Sequence, residues 1–394
     1  MNILVLNAGS SSLKYQLIEM PLQVVKCIGI IERIGMDDAI FTHEKDTNTY
    51  SEVLPVLNHE VGLKKIAKTL MDAKLGVIKS VDEIEAVGHR VVHGGRKFSS
   101  TVIVNQEVKD NIRDLFDLAP LHNPANLTGI EIAETIFNSA KQIAIFDTAF
   151  HETMPKEAYQ YAIPNYYLEE HKIRAYGFHG TSHKYVSEKA IEYLGAKSKN
   201  ILTIHLGNGC SMSAIKSGKS IDNSLGFGPM NGLVMGTRCG DIDQSVLLFL
   251  MKKLNKSVKE VTTLLQKESG MKGLTGFSDL REISEKADNG DEKCQNALNI
   301  AAYRIKKYIG SYTAILNGLD AIIFTAGIGE NSSLMRRMAC KNLDFLGIVL
   351  DEQKNEIRSK EIREIQSTAS KVKILVIPTN EEIEIAKQSY DLLK

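Results

Sequence analysis

No tryptophan occurs in the 394 residues, and aromatic side chains make up only 6% of them. This argues against an aromatic-lined sugar surface or a membrane belt. Net charge is missing too: 48 basic and 48 acidic side chains cancel, which excludes a broad basic surface for nucleic acid and leaves only local basic clusters to hold a phosphate. No apolar run approaches the roughly 20 residues of a membrane helix; stretches such as Val246–Met251 and Ala321–Phe324 are short. The apolar N-terminus has no basic segment ahead of it and no small-residue cleavage site, so it reads as part of the fold and not as a secretory leader. The cysteines, at 27, 210, 239, 294 and 340, are odd in number, widely spaced and without a Cys-x-x-Cys pair. That usage suits reduced thiols in the cytoplasm.

What is present is an ordinary globular composition, 43% hydrophobic and 24% charged, in a chain long enough for two or three domains of about 150 residues. Ile3–Leu6 is a continuous apolar run, as in a strand buried on both faces. A turn Asn7–Ser12 follows, then a second strand Lys14–Ile18, and residues 22–31 supply a third. Leu63, Ile66, Ala67, Leu70 and Met71 repeat with helical spacing. Val87–Val92, Val102–Val104 and Ile143–Phe146 read as strands, and Asn123-Pro124 as the N-cap and first position of a helix with Leu127, Ile130, Ala133 and Ile136 inward. Five tyrosines between 159 and 176 suit either a junction or oligomer interface, or the packing of a connecting loop. Ile201–Leu206, Gly207-Asn208-Gly209 and Ser211–Lys216 then repeat the strand-turn-strand form of the N-terminus, which points to a duplicated domain with a ligand between the copies. A helix through Leu298–Leu316 ends at Gly318. Two strand-to-helix corners follow, at Ala321–Phe324 and Ile374–Ile377, and Thr379 and Glu382 have capping-box spacing. Strands alternate with helices throughout, which defines an α/β class.

The familiar nucleotide motifs are absent. No G-x-x-x-x-G-K-[ST] occurs, and both Gly327-Ile328-Gly329 and Gly207-Asn208-Gly209 lack the third glycine of the dinucleotide fingerprint. Three glycine-rich turns at strand ends (Asn7–Ser12, Gly207–Gly209, Gly327–Asn331) instead suggest a polyphosphate held from several sides. His89 with His93, and His179 with His183, have the spacing of zinc ligands, but Arg90 and Gly180 stand where H-E-x-x-H needs glutamate. His89 and His183 read as structural and His93 stays open. Arg90, before Gly94-Gly95, and Arg238, within Gly236-Thr237-Arg238-Cys239-Gly240, suit either carboxylate or phosphate recognition, or a structural ion pair.

Taken together, Asn7-Ala8-Gly9-Ser10-Ser11-Ser12-Leu13-Lys14-Tyr15, His89–Gly95, Tyr176–His183, His205–Gly209, Gly232–Arg238 and Pro378–Glu382 resemble the acetate kinases in order along the whole chain. The resemblance implies two duplicated actin-like (ribonuclease H-like) ATPase domains with the active-site cleft between them. These are residues 1–148, completed by a C-terminal helix at about 381–394, and residues 149–380. It implies a cytoplasmic homodimer that transfers the γ-phosphoryl group of ATP to acetate in line, with Mg²⁺ or Mn²⁺, and binds neither nucleic acid nor membrane. By the same resemblance Asn7 and Glu381 hold the metal, and Lys14 contacts the nucleotide phosphates. His205, Leu206, Gly207, Asn208 and Gly209, then Asp279, Leu280 and Arg281, then Gly327, Ile328, Gly329, Glu330 and Asn331, line the ATP site. Arg90 binds the acetate carboxylate; Val92, Leu121, Phe178 and Pro229 surround its methyl group. His179 and Arg238 stabilise the transferring group, and Asp147 is the catalytic carboxylate.

A carboxylic acid of pKa about 4 is already ionised at neutral pH and needs no base, so Asp147 is expected to orient Arg90 or a metal-bound water. The chain departs from the family at Asp279-Leu280-Arg281, where Asp-Phe-Arg is usual, at Gly228-Pro229-Met230-Asn231-Gly232, where Thr-Pro-Leu-Glu-Gly is usual, and at Cys239, where Ser is common. These bear on nucleotide preference and thiol sensitivity. A propionate kinase of the same fold is the alternative enzyme; an actin-like or heat-shock-like ATP-dependent clamp is the alternative of another class.

Overall fold

The computed structural model describes residues 1–120, 122–195 and 199–394. The chain is α/β, built on two mixed sheets, and its contacts divide it into Met1–Phe150 with Asn380–Lys394, and His151–Thr379.

In the first unit β1 (Asn2–Ala8), β2 (Ser12–Glu19) and β3 (Val24–Glu32) form an antiparallel meander, extended outward by β4 (Ala39–Lys45) and β5 (Asn48–Leu54). On the other side of β1 lie β6 (Ala86–Val91) and β8 (Lys141–Phe146), both parallel to it, with β7 (Val102–Ile103) antiparallel at the edge. Ile3–Leu6 are all buried, because a strand parallel to its neighbour is covered on both faces. The helix Asn123–Ile136 packs on β1, β6 and β8, and so does the C-terminal helix Glu381–Leu393. Alternation along β6 places them on opposite faces. Val87 packs in a core with Ala133 and Phe137, whereas a Cβ added to its neighbour Gly88 would lie 2.8 Å from Ile385 and Ser389. Glycine there is what lets the last helix seat.

In the second unit β9 (Asn200–Leu206), β10 (Cys210–Lys216) and β11 (Lys219–Asn223) repeat the meander. Then β12 (Ala321–Thr325) and β14 (Lys373–Val376) run parallel to β9, with β13 (Arg363–Glu364) antiparallel at the edge. The sheet orders β3-β2-β1-β6-β8-β7 and β11-β10-β9-β12-β14-β13 are the same order, which is the duplication the two hairpins suggested.

Several local expectations change. The helix predicted from Leu63 to Met71 spans His59–Leu70, and Met71 is its exposed C-cap. Asn123 does not cap its helix; His122 holds that position, while the buried Asn123 side chain binds the His93 backbone N–H and carbonyl. The long helix is Glu292–Leu316, and its left-handed cap is Asn317 (φ 56°), one residue before Gly318. The final helix is capped by Asn380, whose side chain accepts from the Ile383 N–H; Thr379 is engaged by Ser182 and Glu330 instead. Of the tyrosines, Tyr159 and Tyr176 cover the buried Arg174 guanidinium, with ring centroids 3.8 and 5.5 Å away, while Tyr161 accepts a hydrogen bond from the Phe227 N–H. No helix among the described residues is long and apolar enough to cross a membrane.

Candidate active site

Ligands of open α/β sheets bind at the carboxyl ends of parallel strands, and in the first unit those ends carry the predicted residues. Asn7 lies near the end of β1, Arg90 near the end of β6, and Asp147 directly follows β8. Arg90 Nε and Nη2 both donate to Asp147 Oδ2, at 3.0 and 2.7 Å, and Arg90 Nη1 is 3.5 Å from Glu381 Oε2. Burial works against the guanidinium's charge, but Asp147 and Glu381 outweigh it and hold its pKa above the ordinary value. Glu381 is the first residue of its helix; burial raises its pKa, Asp147 and Glu382 add to the rise, and Arg90 and Lys14 oppose it. Lys14, on β2, reaches Glu382 at 2.5 Å. Val92, just beyond β6, is partly exposed, and its N–H donates to Asn126 Oδ1. Leu121 lies outside the described residues.

Asn126 was missed by sequence reasoning. Its amide also donates to the Ala8 carbonyl at 2.8 Å, so one side chain ties the ends of β1 and β6 together. An asparagine inside a helix is unfavourable on propensity alone, and that is the signal that could have found it.

The second unit holds the remaining predicted residues. His205 and Leu206 end β9, and Gly207-Asn208-Gly209 form the turn to β10. The adjacent parallel β12 runs straight into a one-and-a-half-turn helix, Ala326–Asn331, which contains Gly327, Ile328, Gly329 and Glu330. Ala326 (φ 64°) and His179 (φ 56°) both occupy the left-handed region, a conformation costing about 1–2 kcal/mol for an L-residue and held only where the surroundings over-determine it.

His179 precedes the helix Gly180–Leu194. Its Nδ1 is 2.8 Å from Ser211 Oγ, and its ring stacks on His205 at 4.4 Å. Ser211 Oγ is also 2.7 Å from His183 Nε2, and His183 Nδ1 is 2.7 Å from Thr203 Oγ1. Burial drives the pKa of His183 far down, so it serves this network as a neutral ring, as the sequence suggested. His89 is similar: fully buried, bonded to Gln142 at 2.8 Å, and pushed down to about 4 by burial. His93, left open by the sequence, also lies at about 4 through burial, and its Nδ1 accepts from the Gly95 N–H.

Arg238 Nη1 donates to the Pro229 carbonyl at 2.9 Å, and among the described residues no carboxylate pairs with it. Burial lowers its pKa. Gly209 separates it from His179: a Cβ there would lie 3.3 Å from His179 Nε2 and 3.8 Å from Arg238 Nη1. Gly236 donates its N–H to the Asn208 carbonyl at 3.0 Å, docking the glycine turn onto the arginine loop. Phe178 is buried, and its carbonyl lies 3.0 Å from His151 Nε2.

A small apolar pocket of about 30 Å³ lies beside the turn, lined by Leu206, Gly207, Cys210, Met235, Leu280 and Ile328 among others. Asp279 and Arg281 pair with each other at 2.6 Å, with Asp279 capping its own helix. Glu330 accepts the Thr379 N–H, and burial raises its pKa. Asn331 donates to the Gly327 carbonyl at 2.8 Å. Arg336, which sequence reasoning passed over, is buried and donates to the Gly329 and Glu330 carbonyls and to Asn355; burial pushes its pKa down to about 10.

Comparison with known proteins shows the family. The acetokinase family model matches residues 2–387. The chain is 61% identical to the acetate kinase of Flavobacterium johnsoniae over 394 residues, the whole of both proteins. Among solved structures it matches Porphyromonas gingivalis acetate kinase with a TM-score of 0.94 at 43% identity over all of both chains. It also matches a propionate kinase from Francisella tularensis with a TM-score of 0.93 at 41% identity over 98% of each. The chain belongs to the acetokinase family, phosphotransferases whose acceptor is a carboxyl group. Within that class, its full-length identity to curated acetate kinases establishes acetate kinase function.

Proposed function

We propose that the enzyme catalyses reversible, Mg²⁺-dependent transfer of the γ-phosphoryl group of ATP to acetate, giving acetyl phosphate and ADP, by direct in-line displacement. The observation that carries this reading is Arg238, a half-buried guanidinium with no carboxylate partner among the described residues, set beside His179 across Gly209. A cation drawn partly out of water without a counter-charge is costly, and phosphoryl transfer is where it is useful, because charge spreads over the equatorial oxygens.

The division of labour follows from each residue's partners. Asp147 fixes Nε and Nη2 of Arg90, and Nη1, 3.5 Å from Glu381, would turn with the second Nη2 N–H to the acetate carboxylate. Asp147 therefore acts as the orienting group and takes no proton. Val92, with Phe178 and Pro229, would border the methyl group. The Gly207–Gly209 turn, with His205 and Leu206 before it, and the helix Ala326–Asn331 would receive the nucleotide, with Asp279–Arg281 beside it. Lys14 would exchange Glu382 for phosphate oxygens. Asn7 and Glu381 fit Mg²⁺: both offer hard oxygen donors. Mg²⁺ keeps most of its waters and takes further ligands from phosphate, so two protein donors suffice. When bound, the ion would neutralise charge on the phosphates.

Five free thiols are compatible with a cytoplasmic setting. The helix Gln244–Lys252 has no buried residue and exposes Val246, Leu248, Phe249 and Met251. These exposed apolar side chains are the surface we assign to the homodimer.

The test is hydroxylamine trapping after incubation with Mg-ATP and acetate, propionate or butyrate. Strong acetyl, weaker propionyl and little butyryl hydroxamate is the expected outcome, since one methylene is worth only about 1–3 kcal/mol. A larger propionyl signal would move the assignment to propionate. ATP hydrolysis without any hydroxamate would mean a clamp.

A further inference from the structure

Arg238 is carried by a loop whose two ends are locked to each other. The Gly232 N–H donates to Asp241 Oδ1 at 2.7 Å, and the Asp241 N–H returns a bond to the Gly232 carbonyl at 3.0 Å. Arg304, on the long helix Glu292–Leu316, donates from Nη1 to the carbonyls of Gly232 and Asp241, each at 3.1 Å, and lies 3.3 Å from Asp241 Oδ2. Four residues on, and so on the same helix face, the Tyr308 hydroxyl donates to the Asp241 carboxylate at 3.0 and 3.2 Å. Burial raises the pKa of this phenol, and Asp241 adds to the rise, so it remains a donor. Inside the neck, the Met235 N–H donates to the Arg238 carbonyl at 3.2 Å and closes the turn that carries the guanidinium.

An irregular surface loop normally leaves much of its backbone to water. Here two side chains of a long, well-packed helix converge on one carboxylate and two carbonyls at the point where the loop leaves and rejoins the body. We infer that Asp241, Arg304 and Tyr308 form a clamp that sets the position of Arg238 toward the transferring phosphoryl group. They are positioning residues: each acts through the loop and none touches substrate. The inference rests on the role proposed above for Arg238. It assigns to the clamp the rigidity that a transition-state donor requires, where about 1 Å of misplacement costs about 100-fold in rate.

The test compares Asp241→Ala, Tyr308→Phe, Arg238→Ala and the Asp241→Ala/Arg238→Ala double variant, as full-length enzymes, by hydroxamate formation from Mg-ATP and acetate. Asp241→Ala is expected to lower kcat about 30-fold while KM for each substrate stays within about threefold. Tyr308→Phe, which loses one bond to the carboxylate, is expected to lower kcat about fivefold at an unchanged melting temperature. The double variant is expected to be no slower than Arg238→Ala alone, because a clamp that works only through Arg238 has nothing left to position. Full additivity in the double variant, or wild-type kcat in both Asp241→Ala and Tyr308→Phe, would overturn the clamp. Should Asp241→Ala fail to fold, Tyr308→Phe in the Arg238→Ala background makes the same comparison. An Arg238→Ala enzyme with wild-type kcat would overturn the role of Arg238 and the clamp with it, and that failure is read from the single variant alone.

Discussion

Both hydrogen bonds from Arg90 to Asp147 land on the same carboxylate oxygen, Oδ2, at 3.0 Å from Nε and 2.7 Å from Nη2. A carboxylate used this way holds a guanidinium in one plane; it is not poised to take a proton from a substrate that is already ionised. Asp147→Asn is therefore expected to lower the amplitude of the pH–rate profile about 10–100-fold, the scale of a lost charge-assisted pair that orients substrate, and to leave both limbs in place. Loss of one limb, measured by hydroxamate formation across pH 5 to 9, would show that Asp147 acts as a base. Arg90→Ala should act mainly on acetate, raising its KM far more than that of ATP.

The contact across Gly209 gives a test of the phosphoryl site that leaves every charged group in place. A methyl group there would press on His179 Nε2 and Cε1 at 3.3 Å and approach Arg238. Gly209→Ala should cut kcat by about tenfold or more, since displacements of a few tenths of an ångström at a transition-state donor are felt directly. The melting temperature should stay nearly unchanged. Wild-type kcat would mean that the space between the two side chains is not where the phosphoryl group passes.

His89, His93 and His183 are among the histidines buried as neutral rings: His89 and His93 at about 4, and His183 well below its ordinary value, in each case through burial. Their folded values lie below the unfolded value of about 6.5, so the unfolded chain binds protons first as the pH falls. The stability they contribute is complete above pH 6.5 and is lost progressively toward pH 4, by up to about 1.4 kcal/mol per pH unit for each ring. Urea unfolding followed from pH 7 to 5.5, above the range of ordinary carboxylates, should show a falling midpoint. A constant midpoint over that range would contradict the burial assigned to these rings.

Phe249 is more than half exposed on a helix that buries none of its residues. If that face is the dimer surface, Phe249→Asp should convert the protein to monomers in sedimentation experiments, with the melting temperature of each subunit little changed. A dimer that persists places the interface elsewhere.

How much of this was legible in the sequence differs between residues for physical reasons. Ile3–Leu6 and Ile201–Leu206 announced buried strands because a continuous apolar run has few other uses, and the glycine turns after them marked the strand ends where ligands bind. Arg90 and Asp147 were visible as chemistry, yet their pairing depends on β6 and β8 being neighbours, which no local pattern records. The N-cap of the last helix went to Asn380 and not to Thr379, because both are good capping residues and a distant hydroxyl, that of Ser182, decides between them. Arg304 and Arg336 were not legible, and Asn126 only as an unfavourable residue inside a helix. Each reaches backbone carbonyls of another segment, whereas a sequence pattern describes its helix only by the apolar face.

The account rests on a direct transfer in which Arg238, His179 and Arg90 stabilise charge and no side chain carries the phosphoryl group. ATP made chiral at the γ-phosphorus with oxygen isotopes, incubated with the enzyme and acetate, tests this most directly. Inversion of configuration in acetyl phosphate is the predicted result. Retention would require two successive displacements through a phosphorylated enzyme, and would contradict the roles given to all three residues.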